Sequence, residues 1–350
     1  MRSRRATSTG RPAAGQVELS TLVALVRALP EYLGRRERLG EASFAAVSAP
    51  QGPQPPRVRR LDRPGGRIAY RHYRAPGARA ALVLIHGSGC FGDLFQRMAT
   101  EVARRGAAHV FTLDMRGHGL SDGAPGHAMD GPLQAAEDAA AFIDHVRGQL
   151  PGVKLVLGGH SAGAGVMLRL AAGAAARGID GYVFLAPWLG LGAAPNRRQF
   201  GGWVRPRLFA LAGVIGANLL GVRTQNGRTV LDFARGPARD HRYAPGWSFD
   251  TLTAFTPAHR PGRLRLRPDA PVLVLALQDD ECFDPARYPD AFADIAPYAR
   301  IPRLGRGGHW DLLVDARAIG ELSRWLVERF GGDPARDARR PASRRAPAPA

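Results

Sequence analysis

The segment Gly-His-Ser-Ala-Gly at residues 159–163 sets a serine among small residues, in a context that favours nucleophilic chemistry. An apolar run at residues 153–157 precedes it, and an Ala- and Leu-rich helical stretch at residues 164–176 follows it. A G-x-S-x-G match indicates a nucleophile only in this order of strand, sharp turn and helix. The alternative is a chance match in a chain with 43 glycines. The flanking elements favour Ser161 as a nucleophile.

A serine nucleophile needs a base, and His309 stands where one is expected. Residues 299–304 are predicted to form a short strand, and a Gly-rich loop with His309 follows it. An acid should come between the two, in the chain order serine, acid, histidine. The apolar residues 271–277 predict a buried strand that runs directly into Gln-Asp-Asp-Glu at residues 278–281. Carboxylates beyond the carboxyl end of such a strand lie where open α/β sheets carry functional groups.

Four acids near this strand end could hold the histidine: Asp279, Asp280, Glu281 and Asp284. We favour Asp280, with Asp279 as the alternative. The acid would accept the Nδ1 hydrogen of His309, fixing its tautomer and stabilising the imidazolium that forms during the reaction.

A third strand supplies candidate oxyanion donors. Residues 81–85 are apolar and end in His-Gly-Ser-Gly at residues 86–89. The backbone amides of Ser88 and Ala162 are the predicted oxyanion hole, in which one donor is worth roughly 10²–10³ in rate. We expect His86 to have a structural role.

Together these motifs resemble the α/β-hydrolase superfamily, and within it the monoacylglycerol lipase/lysophospholipase-like (serine aminopeptidase S33-type) hydrolases. The resemblance covers about residues 57–330 and also includes Asp-Met-Arg-Gly-His-Gly-Leu-Ser-Asp-Gly at residues 114–123. That last segment implies a structural loop. The family usually has a glycine shortly before the acid, where this chain has Leu277, so the choice between Asp279 and Asp280 stays open.

The resemblance implies two-step acyl transfer to water through Ser161, on carboxylic esters with an apolar acyl chain such as monoacylglycerols or lysophospholipids. Peptidase, thioesterase and acyltransferase activities remain alternatives, because the triad fixes the chemistry but not the substrate. A non-catalytic ligand-binding protein on the same scaffold is a further alternative. The predicted substrate pocket comprises Gly87, His160, Trp188 and Trp310. The sequence has neither a metal-ligand cluster nor a Gly-rich phosphate loop, so no cofactor and no metal are expected.

Alternating apolar and helical segments predict an α/β-hydrolase fold with a mostly parallel, doubly wound, eight-stranded sheet and an inserted helical cap. The predicted strands lie near residues 58–61, 68–73, 81–85, 110–114, 155–158, 182–185, 272–277 and 300–304. The predicted helices lie near residues 91–105, 133–150, 162–176, 285–293 and 316–330. The hydrolase core is predicted at residues 57–187 and 270–330, the cap at 188–269, and a disordered basic tail at 331–350. Residues 1–56 are predicted to be a basic, disordered N-terminus with a short amphipathic helix and a linker.

The cap contains an uncharged apolar run at residues 208–222. This run is too short to span a bilayer, which needs about 20 apolar residues. A buried cap helix is one interpretation, and an apolar lip that touches lipid is the other.

Net charge is +19, yet Lys154 is the only lysine among the 49 basic residues, and the arginines are scattered along the chain. With no nucleic-acid motif present, we expect no nucleic-acid partner. The expected partner is a small acyl-ester molecule, with contact to an anionic membrane as a second hypothesis. The oligomeric state is not predicted.

A short apolar run near residues 19–26 makes a poor secretory signal, so a cytoplasmic location, with peripheral membrane contact as the second hypothesis, is expected. Cys90 and Cys282 are expected to be free thiols in a reducing compartment. Both lie on loops at the same end of the predicted sheet, so a pairing near the active site is the alternative.

Overall fold

A computed structural model describes residues 19–28, 47, 52–173, 178–234, 242–257 and 265–331. Its central sheet has seven strands in the order β1-β2-β4-β3-β5-β6-β10. These strands are β1 (Arg59–Arg63), β2 (Gly66–Tyr73), β3 (Ala80–Ile85), β4 (His109–Leu113), β5 (Lys154–His160), β6 (Gly181–Leu185) and β10 (Val272–Leu275). The first three strands of this order pair antiparallel, and every later pair is parallel.

The sequence of the parallel strands explains their place in the sheet. β3, β6 and β10 are apolar along their whole length and buried at every residue. Strands buried on both faces read as continuous apolar runs, which is typical of a parallel sheet covered by helices. Because neighbouring strands run parallel, β3, β5 and β10 all present their carboxyl ends at one edge of the sheet. The predicted doubly wound fold class is confirmed.

The predicted eighth strand, at residues 300–304, needs correction. In the described part of the chain this segment meets β10 only at an isolated parallel bridge between Arg300 and Leu273. Pro302 follows, and proline has no N–H to donate to a ladder. The segment therefore runs beside the sheet and leads into the loop of His309 without joining as a regular strand.

The core helices follow the predicted pattern with shifted ends: α2 (Gln96–Arg104), α3 (Gln134–Gln149), α4 (Gly163–Ala171), α7 (Tyr288–Ala293) and α8 (Ala316–Phe330). α2 packs against α8, and α3 packs against α4. The start of α8 is set by Asp315, whose carboxylate accepts the amides of Arg317 and Ala318 at 2.9 Å. Such an N-cap satisfies amides that the helix itself leaves without partners.

The insert between β6 and β10 contains a sheet as well as helices, which corrects the prediction of a helical cap. Its elements are β7 (Val204–Pro206), α5 (Leu208–Leu219), β8 (Thr229–Phe233), β9 (Gly246–Ser248) and α6 (Phe249–Phe255). The strands form a separate three-stranded antiparallel sheet, β7-β8-β9. These strands are too short for their alternation to stand out in the sequence. The domain boundaries of the insert stay a prediction.

The predicted N-terminal amphipathic helix corresponds to α1 (Leu19–Ala28), which packs against the cap helix α5. Leu22 and Leu25 on its inner face are buried. Most of the predicted N-terminal linker and all of the predicted C-terminal tail except Gly331 lie outside the described residues. None of the described helices combines the length and the apolar character needed to cross a membrane.

Lys154 begins β5, and its side chain is 59% exposed. Its ammonium lies 2.9 Å from the Asp180 carboxylate, which precedes β6. Ser161 follows the other end of the same strand. The single lysine and the predicted nucleophile therefore lie at opposite ends of the sheet.

Candidate active site

Ser161 occupies the sharp turn between β5 and α4. Its φ angle is +52°, in the left-handed region that side chains other than glycine rarely adopt. The turn is held by the Ser161 amide, which donates to the Leu185 carbonyl of β6 at 3.0 Å. A Cβ on Gly163 would lie 2.4 Å from the Ile85 carbonyl oxygen, so only glycine fits there. The small residues of the motif thus allow close packing against β3, and the strained turn sets the serine above the sheet.

His309 and Asp280 form a buried pair. His309 Nδ1 lies 2.9 Å from Asp280 Oδ2, and both residues are 1% exposed. The second carboxylate oxygen, Oδ1, accepts the amides of Cys282 at 2.8 Å and Phe283 at 2.9 Å. Burial lowers the pKa of His309, but the charge and hydrogen bond of Asp280, together with the charge of Glu281, outweigh it, so this pKa lies above its ordinary value. The arrangement fixes Nδ1 as a donor and leaves Nε2 for a proton transfer.

The other acids near this strand end have different partners. Asp279 Oδ2 accepts the Arg306 guanidinium and the Gly307 amide, each at 3.0 Å, and the Arg306 hydrogen bond lowers the pKa of Asp279. Glu281 accepts the backbone amide of His309 at 2.8 Å, so it positions the loop and not the ring. Asp284 accepts the amide of Ala286 at the start of a short 3₁₀ turn. Asp280 is thus the acid whose carboxylate meets the His309 ring.

The loop of His309 lies directly against the serine turn. His160, the neighbour of Ser161, donates from Nε2 to the His309 carbonyl oxygen at 3.3 Å. The two imidazole rings have centroids 4.5 Å apart. Within the described residues, no hydrogen bond joins the Ser161 hydroxyl to His309. Catalytic hydrogen bonds often tighten only when substrate is bound, so the geometry suits a base that closes onto the serine.

The predicted oxyanion donors, the amides of Ser88 and Ala162, belong to residues that line the same cavity as Ser161. Ala162 precedes α4, where the helix leaves amides free and favours negative charge. The loop after β3 lies close to the serine, because a Cβ on Gly87 would be 2.9 Å from the Ser161 Cβ. In the described part of the chain, neither amide donates a hydrogen bond to another protein group. Two free donors beside the nucleophile suit an oxyanion hole.

His86 holds the oxyanion loop in place, as expected for a structural residue. Its Nδ1–H donates to the Gly87 carbonyl at 2.9 Å, and its Nε2 accepts the Met115 amide at 3.0 Å. Burial lowers the pKa of His86 well below its ordinary value, which keeps the ring neutral and able to accept. The ring therefore ties the loop after β3 to the segment after β4.

That segment after β4, residues 114–123, is a tight structural loop. Asp114 accepts the amides of Gly92 at 2.6 Å and Leu120 at 2.8 Å. Burial raises the pKa of Asp114 to about 6, against the effect of these hydrogen bonds. Farther along, His118 Nε2 accepts the indole N–H of Trp247 at 2.8 Å, which links the core to the cap. The loop supports both the oxyanion segment and the floor of the cap.

A cavity that is open to solvent is lined by Ser161, Ser88 and Ala162, and the empty space of about 430 Å³ at this site includes solvent. The rest of its lining is apolar and aromatic, apart from the thiol of Cys282; it includes Trp188, Phe200, Trp203, Leu231, Trp247 and Phe283. Binding sites for small molecules typically combine such an apolar lining with a few polar groups.

Of the four predicted pocket residues, Trp188 lines this cavity. Gly87, His160 and Trp310 are not part of its lining, and His160 and Trp310 are each only 1% exposed. The lining residues Leu231 and Phe283 were missed by the sequence analysis. The sequence does not distinguish apolar residues that line a pocket from apolar residues that pack in a core, and short cap strands and loops add no pattern that would.

The two cysteines are buried and free. Cys282 lies beside the pair, since ligand-type atoms of Asp280, Cys282 and His309 fall within 4.8 Å of one another. Both Asp280 oxygens already accept protein N–H groups, and burial raises the pKa of the Cys282 thiol well above its ordinary value. The carboxylate is therefore already engaged by protein N–H groups and the thiol stays protonated, so this cluster is a poor metal site.

The parallel sheet, the serine turn at the end of β5 and the histidine–aspartate pair define an α/β-hydrolase. The sequence matches the hydrolase family described as serine aminopeptidase, S33, over residues 76–302, and the chain belongs to this family. The expected superfamily and hydrolase class are confirmed.

Solved structures with the same fold include lipases and esterases. A monoglyceride lipase from Saccharomyces cerevisiae, in complex with a substrate analogue, is 18% identical with a TM-score of 0.65, covering 80% of this chain and 98% of that one. A monoacylglycerol lipase from Paleococcus ferrophilus is 22% identical with a TM-score of 0.53, covering 75% and 99%. An esterase from a Rhodococcus species is 23% identical with a TM-score of 0.52, covering 78% and 99%. A comparison with curated proteins finds no match.

Proposed function

We propose that this protein is a serine carboxylic-ester hydrolase of the monoacylglycerol lipase/lysophospholipase type. The observation that carries the proposal is the buried His309–Asp280 pair beside the turn of Ser161, a serine that lines a largely apolar cavity. A nucleophile, an oriented base and two free amides are the parts that acyl transfer requires.

In this mechanism Ser161 attacks the ester carbonyl while His309 Nε2 takes its proton. Asp280 holds the imidazolium that forms, and the amides of Ser88 and Ala162 stabilise the oxyanion. His309 then protonates the departing alcohol, which leaves an acyl group on Ser161. Water, activated by His309, attacks the acyl-enzyme and releases the acid.

The cavity supports an ester with an apolar acyl chain. Its walls offer aromatic and aliphatic side chains, and none of its described lining residues carries a charge at neutral pH. An alkyl chain gains about 0.8 kcal/mol for each methylene that it buries. Lipases and esterases among the similar structures agree with this substrate class.

Peptidase activity is the alternative that the family description raises. An aminopeptidase must hold a cationic amino terminus beside the scissile bond, and a buried cation needs a charged partner. The uncharged lining found among the described residues favours the ester over the aminoacyl substrate. Thioesterase and acyltransferase activities would use the same residues and are separated by substrate tests.

The test is kcat/KM on glyceryl and nitrophenyl esters from C2 to C16, on aminoacyl anilides and on acyl thioesters. Ser161→Ala is the blank and should lose activity by a factor on the order of 10⁴–10⁶. Ser88→Ala is the matched control, because it keeps the backbone amide that the mechanism uses. We expect Ser161-dependent turnover of esters that rises towards medium or long chains. Full turnover by Ser161→Ala would overturn the assignment of the nucleophile, and preference for anilides would favour the peptidase.

Labelling with a fluorophosphonate gives an independent readout. Wild type should be labelled at Ser161 and the alanine variant should not. An unlabelled wild type would favour a non-catalytic ligand-binding protein.

A cytoplasmic location is part of the proposal. Two buried cysteines without a disulfide agree with a reducing compartment.

A further inference from the structure

The cap helix α5 is apolar on the side that faces solvent. Phe209 is 96% exposed and Leu220, in the turn after the helix, is 83% exposed; Leu219 and Val222 are about half exposed. The inner face is apolar as well, with Leu211 and Val214 buried. Single exposed apolar residues are ordinary, but a contiguous apolar patch marks an interaction site.

The N-terminal helix α1, which contacts α5, carries exposed apolar residues of its own. Leu19, Val23 and Val26 are 64%, 40% and 49% exposed and follow one another at helical spacing. The opposite face of α1 is buried and packs against α5. α1 lies outside the segment that matches the hydrolase family, so this half of the patch is an addition to the family core. We call the exposed apolar residues of α1, α5 and the turn after α5 the docking patch.

Arginines flank the helices of the docking patch along the chain. Arg27 lies in the last turn of α1 and is exposed, and Arg223 is exposed just beyond α5. Residues 204–234 contain four arginines and a single acid, Asp232, which is paired with Arg207 at 2.8 Å. An apolar stripe flanked by arginine is what helices lying in a membrane interface present to anionic lipid.

The docking patch is carried by elements that adjoin the cavity walls. Val204 lines the cavity and stands shortly before α5, and Leu231 lines it from β8, against which α5 packs. A lipid surface against the patch would hold the cavity walls next to a source of acyl chains.

We propose that α1 and α5 together form a surface that docks on anionic lipid bilayers. The apolar side chains enter the interface and the surrounding arginines meet the lipid phosphates. Docking itself does not require the proposed ester chemistry. The inference therefore stands or falls separately from the assignment of Ser161.

The experiment is sedimentation of the full-length protein with phosphatidylcholine vesicles, with and without phosphatidylglycerol. Wild type should bind the anionic vesicles more strongly, and added salt should weaken that binding. The double variant Phe209→Asp/Leu220→Asp should bind at least about tenfold more weakly, because two large apolar side chains no longer enter the interface. Leu19→Asp/Val23→Asp tests the contribution of α1 and should also weaken binding.

Val327→Asp is the matched control, since Val327 is 50% exposed on α8, outside the patch. It should bind as wild type does, and so should Ser161→Ala. Both patch variants should hydrolyse a water-soluble short-chain ester at the wild-type rate, which shows that they fold. Unchanged vesicle binding by the patch variants would overturn the proposal. A dimeric wild type that ignores vesicles, with monomeric patch variants, would overturn it in favour of an interface between two copies.

Discussion

Asp280 meets the His309 ring at 2.9 Å in the interior, while Asp279, one position earlier, bonds Arg306 and Gly307 at the surface. Asp280 is 1% exposed, whereas the Asp279 side chain is 43% exposed. Two adjacent carboxylates thus have different environments: one orients an imidazole, and the other closes the loop that carries it.

This difference gives a paired mutational test. Asp280→Asn should lower kcat by a factor on the order of 10³–10⁴, because the amide no longer favours the imidazolium or the required tautomer. Asp279→Asn keeps the shape of its side chain and should change kcat by no more than a few-fold. Steady-state kinetics on one ester checks both. Equal losses in the two variants would contradict the assignment of Asp280.

The pH dependence of kcat/KM should show a base whose pKa is above the ordinary histidine value. The Asp280 carboxylate raises the pKa of His309 against the opposing effect of burial. Only neutral His309 can take the serine proton, so activity should be lost as pH falls through this raised pKa. In Asp280→Asn the burial effect remains without the carboxylate, so the acid limb should move to lower pH. An unmoved limb would mean that another group controls it.

The Ser161 turn should store strain that glycine relieves. Because φ is +52°, alanine keeps the unfavourable backbone conformation and glycine does not. We expect Ser161→Gly to have a free energy of unfolding about 1 kcal/mol higher than that of Ser161→Ala. Urea denaturation of the two inactive variants measures this difference. A less stable glycine variant would show that the turn is not strained.

Filling the cavity should shorten the preferred acyl chain. Leu231→Trp adds bulk to a wall of the cavity far from the histidine–aspartate pair in sequence. We expect kcat/KM for long-chain esters to fall about tenfold or more, since one misfitting methylene can cost 1–3 kcal/mol. Turnover of the acetyl ester should be retained. Val327→Trp on the surface is the control, and an equal loss for all chain lengths in Leu231→Trp would argue against this cavity as the acyl site.

The Arg116–Asp138 pair should matter for stability. Arg116 donates to both Asp138 oxygens, at 2.9 and 3.0 Å, and the Asp138 side chain is fully buried. Asp138→Ala should lower the free energy of unfolding by about 3–5 kcal/mol, because it leaves a buried cation without its partner. Adding Arg116→Met should restore part of the loss. A double variant as unstable as the sum of the single variants would contradict the coupling of the two charges.

Local signals account for what the sequence predicts well. The strand before Asp280 is a continuous apolar run, and the strand before Ser161 has an apolar centre followed by glycines, so the type and position of both strands can be predicted. The choice between Asp279 and Asp280 depends on which way each side chain points after the strand. No spacing rule gives that direction, and only the folded loop separates the two carboxylates.

Long-range packing accounts for what the sequence misses. The segment with Pro302 is apolar enough to be predicted as a strand, but a missing N–H limits its pairing. In the cap, β7 has three residues, so its pattern is lost among loops. The cavity brings Ser88 and Leu231 together with Phe283 from distant parts of the chain, and nothing in the sequence distinguishes apolar residues that line a cavity from those that pack in a core.

The solitary lysine has a practical consequence for measurement. Lys154 stands at the far end of β5 from Ser161, and its side chain is more than half exposed. Reagents that attack side-chain amines therefore have one target, at the opposite edge of the sheet from the reacting groups. A fluorophore or surface linker attached to this side chain would lie at the far end of β5 from Ser161 and leave the reacting groups unmodified.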